Sequence, residues 1–189
     1  MAKMVNEVKL VDKKVVDIPI NNLHVQFVPA ANPWKFWHGY DMMALRTSPH
    51  VEILEMYVKH GFNKELFMQT SYFKERQERR TIHGRTNWTD KYIFEHINNR
   101  IKIYDSLKKK GYKHKLHKYH PILVLKTPFW ETRFGEKHDG VVGPEILDGA
   151  GRCSAAYVLG WKTIPGMWVE DRSPGTKKCK VWEGKFKSL

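Results

Sequence analysis

The sequence predicts a single α+β (mixed α/β) domain in which a helical insertion interrupts a small sheet and a basic tail follows it. Short apolar runs that are typical of strands occur at 15–20, 121–125, 145–147 and 163–169. Between the first two runs, from about 48 to 111, apolar residues recur at helical spacing. The 189 residues, 41% of them hydrophobic, suffice for one domain with a sizeable core.

The first strand is predicted at 15–20. It contains Pro19, which lacks a backbone donor and therefore indicates an edge position or an early end of the strand. The segment 29–40 follows as an irregular loop that includes Trp34 and Trp37. Its aromatic content favours a lid or a plug of the core over a linker.

The insertion is predicted to begin with two helices. Ser48 is suited to be the N-cap of the first, with Pro49 at its first position and Gly61 at its end. The second is predicted from Asn63 into the basic stretch that ends at Arg80.

The clearest helix of the chain is predicted after Thr89, which is suited to be its cap. The apolar residues recur at intervals of three or four and place one face against the core: Ile93, Ile97, Ile101, Tyr104 and Leu107. Lys108, Lys109, Lys110 and Gly111 are typical of a helix C-terminus.

The segment from Glu145 to 165 predicts a strand, a glycine turn, a short helix and a second strand. Gly149 and Gly151 allow positive φ and a close backbone approach in the bend that starts at Asp148. The helix is predicted to begin near Arg152, and Gly160 lies where a left-handed C-cap belongs. The strand at 163–169 completes the sheet.

Such a turn is suited to bind a phosphate. The free amides of the first helical turn, the positive end of the helix dipole and the guanidinium of Arg152 would converge on one anionic oxygen. The predicted contacts are Gly149, Ala150, Gly151, Arg152 and Ser154. The alternative is an ordinary glycine loop between a strand and a helix, which is common in α/β proteins.

The same residues carry a family resemblance. Asp148-Gly149-x-x-Arg152-x-x-Ala155, then Leu159-Gly160 and Thr163-Ile164-Pro165, resembles the signature of the ParB/sulfiredoxin-like superfamily, which includes the ParB N-terminal-like nucleotide-binding domain. Weaker matches at 15–23 and 121–125 resemble its opening strand and the strand that enters its core. The resemblance implies this fold, with a helical insertion, and a phosphate contact at the turn.

The chain differs from the two best-known members of that superfamily. Sulfiredoxins carry a catalytic cysteine where this chain has Ala150, and ParB carries arginines where it has Gly151 and Ser154. The resemblance therefore implies the fold and the phosphate contact rather than either activity. Its NTP-hydrolysing and small-molecule kinase members suggest nucleotide-dependent phosphoryl transfer or hydrolysis.

Catalysis at the turn would need a base or a metal-binding carboxylate nearby. Asp148 and Glu145 are the local candidates, and their spacing of three places them on opposite faces of a strand, with Asp148 nearer the ligand. We expect Asp148 to bind Mg²⁺ that accompanies a nucleoside triphosphate or diphosphate. The alternative is that Asp148 caps the turn by accepting from a backbone amide. His50 is a further candidate proton donor or phosphate contact, with a surface histidine as the alternative.

The net charge of +13 favours polyanionic partners. Lys108, Lys109 and Lys110 and the basic tail at 172–187, which contains Trp182 and Phe186, are suited to bind nucleic acid. The alternative is a solvated, lysine-rich surface.

Other classes of function are not indicated. His114, His117 and His120 lack a neighbouring Cys or acidic ligand, and no Gly-x-x-x-x-Gly-Lys sequence indicates a P-loop kinase. No apolar run is long enough to span a bilayer. The two cysteines, Cys153 and Cys179, are too few for a disulfide scaffold. We therefore expect a cytoplasmic protein with free thiols.

Two hypotheses therefore remain. The first is a ParB-like nucleotide-binding enzyme, a phosphotransferase or NTP hydrolase acting on or near nucleic acid. The second is a non-catalytic DNA- or RNA-binding module that uses the turn to hold a backbone phosphate.

Overall fold

The computed structural model describes residues 15–26, 42–82, 89–112, 122–125 and 144–169. These residues form a mixed six-stranded sheet and several helices, which confirms the α+β class. The strands are β1 (Val16–Pro19), β2 (His24–Gln26), β3 (Met42–Ala44), β4 (Ile122–Leu125), β5 (Glu145–Asp148) and β6 (Thr163–Val169).

The strand order across the sheet is β1-β6-β4-β5-β2-β3. β1 pairs antiparallel with β6 and lies at one edge, as Pro19 predicts. β4 lies in the middle, parallel to β6 and antiparallel to β5, with Ile122 and Val124 fully buried. β5 therefore delivers the turn that follows Asp148 from the interior of the sheet.

The helices are α1 (Pro49–His60), α2 (Lys64–Gln69), α3 (Ser71–Ile82), α4 (Asp90–Lys110) and α5 (Ala150–Val158), and a 3-10 turn at Leu45–Thr47 precedes α1. α4 confirms its prediction closely. The Thr89 side chain caps it by accepting from the amide of Tyr92 at 3.2 Å, and the five apolar residues predicted to face the core are buried. Gly111 ends it at φ +65°.

The second predicted helix is wrong in its continuity, because the structure has two helices there. Asn63 caps α2 as expected, but α2 ends at Gln69. Thr70 has extended backbone angles, and its hydroxyl donates to the carbonyl of Phe67 at 2.6 Å and accepts from the amide of Phe73. The chain therefore bends at Thr70 and starts α3, which turns Tyr72 and Phe73 into the core.

The core has two parts, with α5 between them. One part lies within the insertion and includes Phe67, Phe73 and Ile97; the other lies against the sheet and includes Ile18 and Ile122. α5 contributes a buried Ala155 to the first part and buried Cys153 and Ala156 to the second. It packs against both α1 and α4. The small residues of α5 thus let the insertion approach the sheet closely.

Several predicted features lie outside the described residues: the aromatic loop at 29–40, the histidines His114, His117 and His120, Cys179 and the basic tail. Within the described ranges, no helix is long and apolar enough to cross a membrane.

Candidate functional site

The glycine turn begins at Gly149, which is the N-cap of α5 with φ +99° and ψ +15°. A Cβ at this position would lie 2.5 Å from Cγ2 of Ile122 on the neighbouring strand β4, so glycine is required both by the backbone and by the packing. The carbonyl of Gly149 already accepts from the amide of Cys153 at 2.9 Å. The helix consequently begins at Ala150, two residues before its predicted start.

Gly151 has a different role from the one predicted. It is a helical residue of α5 and is not left-handed. A Cβ there would lie 2.9 Å from Nη1 of Arg100, on α4. The absence of a side chain at Gly151 therefore admits the guanidinium of Arg100 to the first turn of α5.

Arg152 is buried and lies on the other flank of the turn. Its Nη2 donates to Oδ2 of Asp148 at 2.7 Å, and its Nη1 donates to the hydroxyl of Tyr112 at 3.1 Å. Burial raises the pKa of Tyr112, although the charge of Arg152 opposes this, so Tyr112 accepts as a neutral phenol. The guanidinium is thereby held in one orientation, with its Nη2 beside the backbone of Gly149.

The prediction that Asp148 and Glu145 lie on opposite faces of β5 is wrong, because they pair with Leu123 and Leu125, two residues apart on β4, and the register shift between Leu123 and Val124 breaks the alternation of β5. Glu145 is 2% exposed as a residue, whereas the Asp148 side chain is 43% exposed and lies beside the turn. Asp148 forms its ion pair with Arg152, and it does not accept from an amide of the turn in the part of the chain that the structure describes. The alternative that Asp148 caps the turn is therefore wrong.

Ser154 and Cys153 are buried on the core side of α5. The Ser154 hydroxyl donates to the carbonyl of Ala150 at 2.8 Å, so its proton is used within the helix. This placement argues against Ser154 as a phosphate contact. Burial raises the pKa of Cys153 to about 12, with the charge of Arg152 opposing it, so the thiol stays protonated at neutral pH and is a poor nucleophile.

His50 is 4% exposed, so the alternative of a surface histidine is wrong. Its ring lies 5.5 Å from the ring of Tyr72. Burial, followed by the charges of Arg100 and Arg76, lowers the pKa of His50 well below its usual value. His50 is therefore a neutral imidazole at pH 7 and not a cationic phosphate contact.

His50 belongs to a set of buried and half-buried side chains from α1, α3 and α4, which we call the Tyr72 cluster: His50, Tyr72, Arg76 and Arg100. The guanidinium carbons of Arg76 and Arg100 lie 5.1 and 5.3 Å from the ring centre of Tyr72. Burial alone would raise the pKa of Tyr72, but the charges of Arg100 and Arg76 and their proximity to the hydroxyl outweigh it and lower the pKa. Because Arg100 also contacts Gly151, the cluster adjoins the glycine turn.

Sequence reasoning missed Arg100, Tyr112, Tyr72 and Arg76. Each reaches the site through helix packing across 30 residues or more of chain, and no local motif marks it. For Arg100 the signal in the sequence is an excess of positive charge from 100 to 120, which holds eight Lys or Arg and one acidic residue, Asp105. Lys108, Lys109 and Lys110 are exposed at the C-terminus of α4, as predicted.

In the part of the chain that the structure describes, no three His, Cys, Asp or Glu side chains are grouped so that they could hold a metal ion. Magnesium that accompanies a nucleotide needs only one or two protein carboxylates, because phosphate oxygens and water supply the other ligands. The partly exposed Asp148 fits that requirement, with one of its oxygens engaged by Arg152.

The chain was compared with protein-family models, with curated proteins and with solved structures, and none of them matched. The resemblance to the ParB/sulfiredoxin-like superfamily stays a prediction that depends on the motif residues.

Proposed function

We propose that the glycine turn binds a phosphate group of a nucleotide, in a ParB-like protein whose reaction is phosphoryl transfer or NTP hydrolysis. One observation carries the proposal: two guanidinium groups lie against the first turn of α5. That of Arg152 lies beside Gly149, and that of Arg100 lies beside Gly151.

This arrangement concentrates positive charge. The N-terminus of a helix is its positive end, so a guanidinium placed there is repelled unless an anion is close. Asp148 supplies one carboxylate, which pairs with Arg152. No carboxylate of the described residues forms an ion pair with Arg100. A bound phosphate would compensate the remaining charge and would accept from the helix amides and the arginines together.

The surrounding groups fit a nucleotide with Mg²⁺. Asp148 would supply a carboxylate to the ion, which would neutralise charge on the phosphates during reaction. Tyr112 would keep Arg152 oriented through its hydroxyl. Glu145 and His50 are buried, whereas Asp148 is partly exposed and lies beside the turn, which favours Asp148 among the three catalytic candidates.

Calorimetry tests the binding step. Titration with ATP, CTP, GTP and ADP in millimolar magnesium is expected to show binding of at least one nucleotide, and Arg152→Ala is expected to abolish it. Reversal of Lys108, Lys109 and Lys110 to Glu is the matched control and should leave nucleotide affinity unchanged. If wild type binds none of the four nucleotides at millimolar concentration, the proposal is refuted.

The reaction has a separate test. Incubation with the γ-labelled form of the nucleotide that binds is expected to release label to water or to transfer it to DNA, RNA or a small hydroxyl compound. Binding without any movement of label would leave a binding protein rather than an enzyme.

The second candidate is a non-catalytic nucleic-acid-binding module, favoured by the exposed lysines at the end of α4 and by the charge of +13. Phosphate contacts of lysine make affinity fall steeply with salt. Triple reversal of Lys108, Lys109 and Lys110 should therefore weaken DNA binding and reduce its salt dependence. A DNA-binding isotherm that does not change between low and moderate salt would assign these lysines to the surface alone.

A further inference from the structure

The C-terminal end of α5 borders an open cleft, which we call the Trp161 cleft. Its volume is about 520 Å³, and small-molecule sites in proteins typically have volumes of about 300–1,000 Å³. The cleft lies between α1, the last turn of α5 and the turn that follows α5. Charged, aromatic and aliphatic side chains all line it: Glu55, Val58, Tyr157, Val158, Trp161 and Lys162.

The Trp161 cleft is separate from the glycine turn. α5 has nine residues, so at a rise of about 1.5 Å per residue its two ends are about 13 Å apart. The glycine turn lies at the first end and the cleft at the other. Neither Arg100 nor Arg152 lines the cleft. A ligand in the cleft would therefore use none of the side chains that are assigned to the phosphate.

Two aromatic side chains give the cleft a rigid apolar surface. Trp161 is half-buried and packs against both parts of the core, and Tyr157 is half-buried and packs against the sheet part. Within the described residues, neither ring contacts another aromatic ring. Val58 is 55% exposed and adds aliphatic surface that a ligand would cover. Because removal of apolar surface from water is favourable, the cleft is suited to an apolar or aromatic group.

The cleft also holds one acidic and one basic side chain, Glu55 and Lys162, which are both exposed. Among the residues that the structure describes, neither forms an ion pair or a side-chain hydrogen bond, so the two are not paired with each other. Glu55 can accept from an ammonium group, and Lys162 can donate to a carboxylate. The cleft thus offers two opposite charges beside an apolar surface.

We propose that the Trp161 cleft binds a free α-amino acid with an apolar side chain. The ammonium of the ligand contacts Glu55, its carboxylate contacts Lys162, and its side chain lies against Trp161. A ligand that carries only one of the two charges gains one contact and leaves the other protein charge without a partner. The cleft consequently selects the zwitterion over an amine or a carboxylic acid of similar shape.

Calorimetry with three small compounds tests this selectivity. L-Phenylalanine carries both charges, phenethylamine lacks the carboxylate, and 3-phenylpropionate lacks the ammonium. Wild type is expected to bind phenylalanine, and to bind each of the other two at least about fivefold more weakly, as for the loss of one charge-assisted contact.

Substitution of one charge should change the selectivity in a defined direction. Glu55→Gln is expected to weaken phenylalanine by about fivefold and to strengthen 3-phenylpropionate, because a like charge is removed from the cleft. Lys162→Gln is expected to weaken phenylalanine similarly and to strengthen phenethylamine. Both positions are exposed, so the fold should be kept, which circular dichroism checks.

Glu65→Gln and Lys59→Gln are the matched controls. Both residues are exposed, and neither lines the cleft. Their affinities for phenylalanine should stay within about twofold of wild type, because a distant surface charge contributes little. A loss in Glu65→Gln as large as that in Glu55→Gln would overturn the proposal.

Three results with wild type would also overturn it. Equal affinities for the three compounds would reduce the cleft to an apolar surface. Phenethylamine that binds as tightly as phenylalanine would mean that Lys162 only compensates the negative end of α5. Absence of phenylalanine binding at millimolar concentration would leave the cleft without this ligand.

Titration with ADP separates this proposal from the proposed function. Glu55→Gln is expected to leave the affinity for ADP unchanged, and a fall in that affinity would assign the cleft to the nucleotide and overturn the amino-acid proposal. Phenylalanine binding that depends on Glu55, in a protein that binds no nucleotide, would support the cleft and refute the proposed function. Nucleotide binding that needs Arg152, in a protein that does not bind phenylalanine, would do the reverse.

Discussion

Gly151→Ala is predicted to weaken ligand binding at the glycine turn while leaving the stability of the fold nearly unchanged. Gly151 lies within α5, where alanine is a better helix former than glycine by about 0.5–1 kcal/mol. The added Cβ would lie 2.9 Å from Nη1 of Arg100, with Cδ1 of Ile103 at an ordinary 3.5 Å. Only the end of a flexible side chain needs to move, so the two effects offset each other. We expect the free energy of unfolding to stay within about 1 kcal/mol of wild type.

Binding at the turn should respond differently to the same change. Displacement of the Arg100 guanidinium weakens a charge-assisted contact, and a partial loss of about 1 kcal/mol corresponds to roughly a fivefold lower affinity for ADP. Urea denaturation measures the stability, and calorimetry measures the affinity. A Gly151→Ala protein that binds ADP as tightly as wild type would refute the role assigned to Arg100, and a loss of several kcal/mol would refute the packing argument.

Gly149→Ala is the contrasting variant in the same turn. Its φ of +99° is strained for alanine, and the Cβ would lie 2.5 Å from Cγ2 of Ile122, which is fixed in the core. Backbone strain and overpacking each cost about 1–3 kcal/mol, so this variant is expected to be much less stable than Gly151→Ala. Equal stability of the two variants in urea would contradict this distinction.

Three further predictions concern stability and reactivity. His50 has a lowered pKa in the folded state, so the stability that it contributes is present above about pH 6.5 and is lost as the pH falls toward the pKa of the folded state. In urea denaturation, the free energy of unfolding should therefore fall less between about pH 7.5 and about pH 5.5 for His50→Gln than for wild type. Cys153 is buried with a pKa of about 12, so iodoacetamide at pH 8 should modify it only in urea. Peptide mass spectrometry detects the modification, and a modified Cys153 in the native protein would contradict its buried placement. Thr89→Ala removes the hydrogen bond to the amide of Tyr92 and should lower the free energy of unfolding in urea by about 1 kcal/mol. Lys91→Ala, at an exposed position in the same turn, should lower it by less than about 0.5 kcal/mol. Equal losses for the two variants would refute the cap.

The elements that the sequence predicts well are those whose signals are local. The apolar spacing and the Thr89 cap of α4 are local to that helix, and Pro19, which indicates an edge position or an early end, lies at the end of the edge strand β1. Gly160 likewise has the left-handed φ expected after α5. In each case the residues that determine the structure are the residues that adopt it.

The missed elements depend on distant partners. β2 and β3 are only three residues long, and they exist because β2 pairs with β5, which lies more than 100 residues later. The break between α2 and α3 comes from one threonine hydroxyl, at Thr70, that bonds the backbone on both sides. No hydrophobic periodicity and no glycine or proline in the sequence predicts these two features.

At the glycine turn, too, the local features could be predicted from the sequence and the distant partners could not. The turn and its arginine could be predicted, because Gly149 and Arg152 lie three residues apart. The partners of Arg152 and Gly151 could not, since Tyr112 and Arg100 arrive from α4 and the residues just after it. The sequence therefore predicted one guanidinium at the turn, whereas two lie there in the structure.

This difference decides which residue tests the function best. Arg152 is buried, and its bonds to Asp148 and Tyr112 would be needed to hold the turn together even if no ligand bound there. Arg152→Ala removes one partner of a buried pair and can lower stability by several kcal/mol, which would reduce binding for a structural reason. Arg100 makes no ion pair in the described structure, and its guanidinium packs on the Tyr72 ring, a contact that does not hold the glycine turn together in the way that the bonds of Arg152 do. A variant that displaces Arg100 without unfolding the protein therefore tests the phosphate site more directly than the residue of the motif itself.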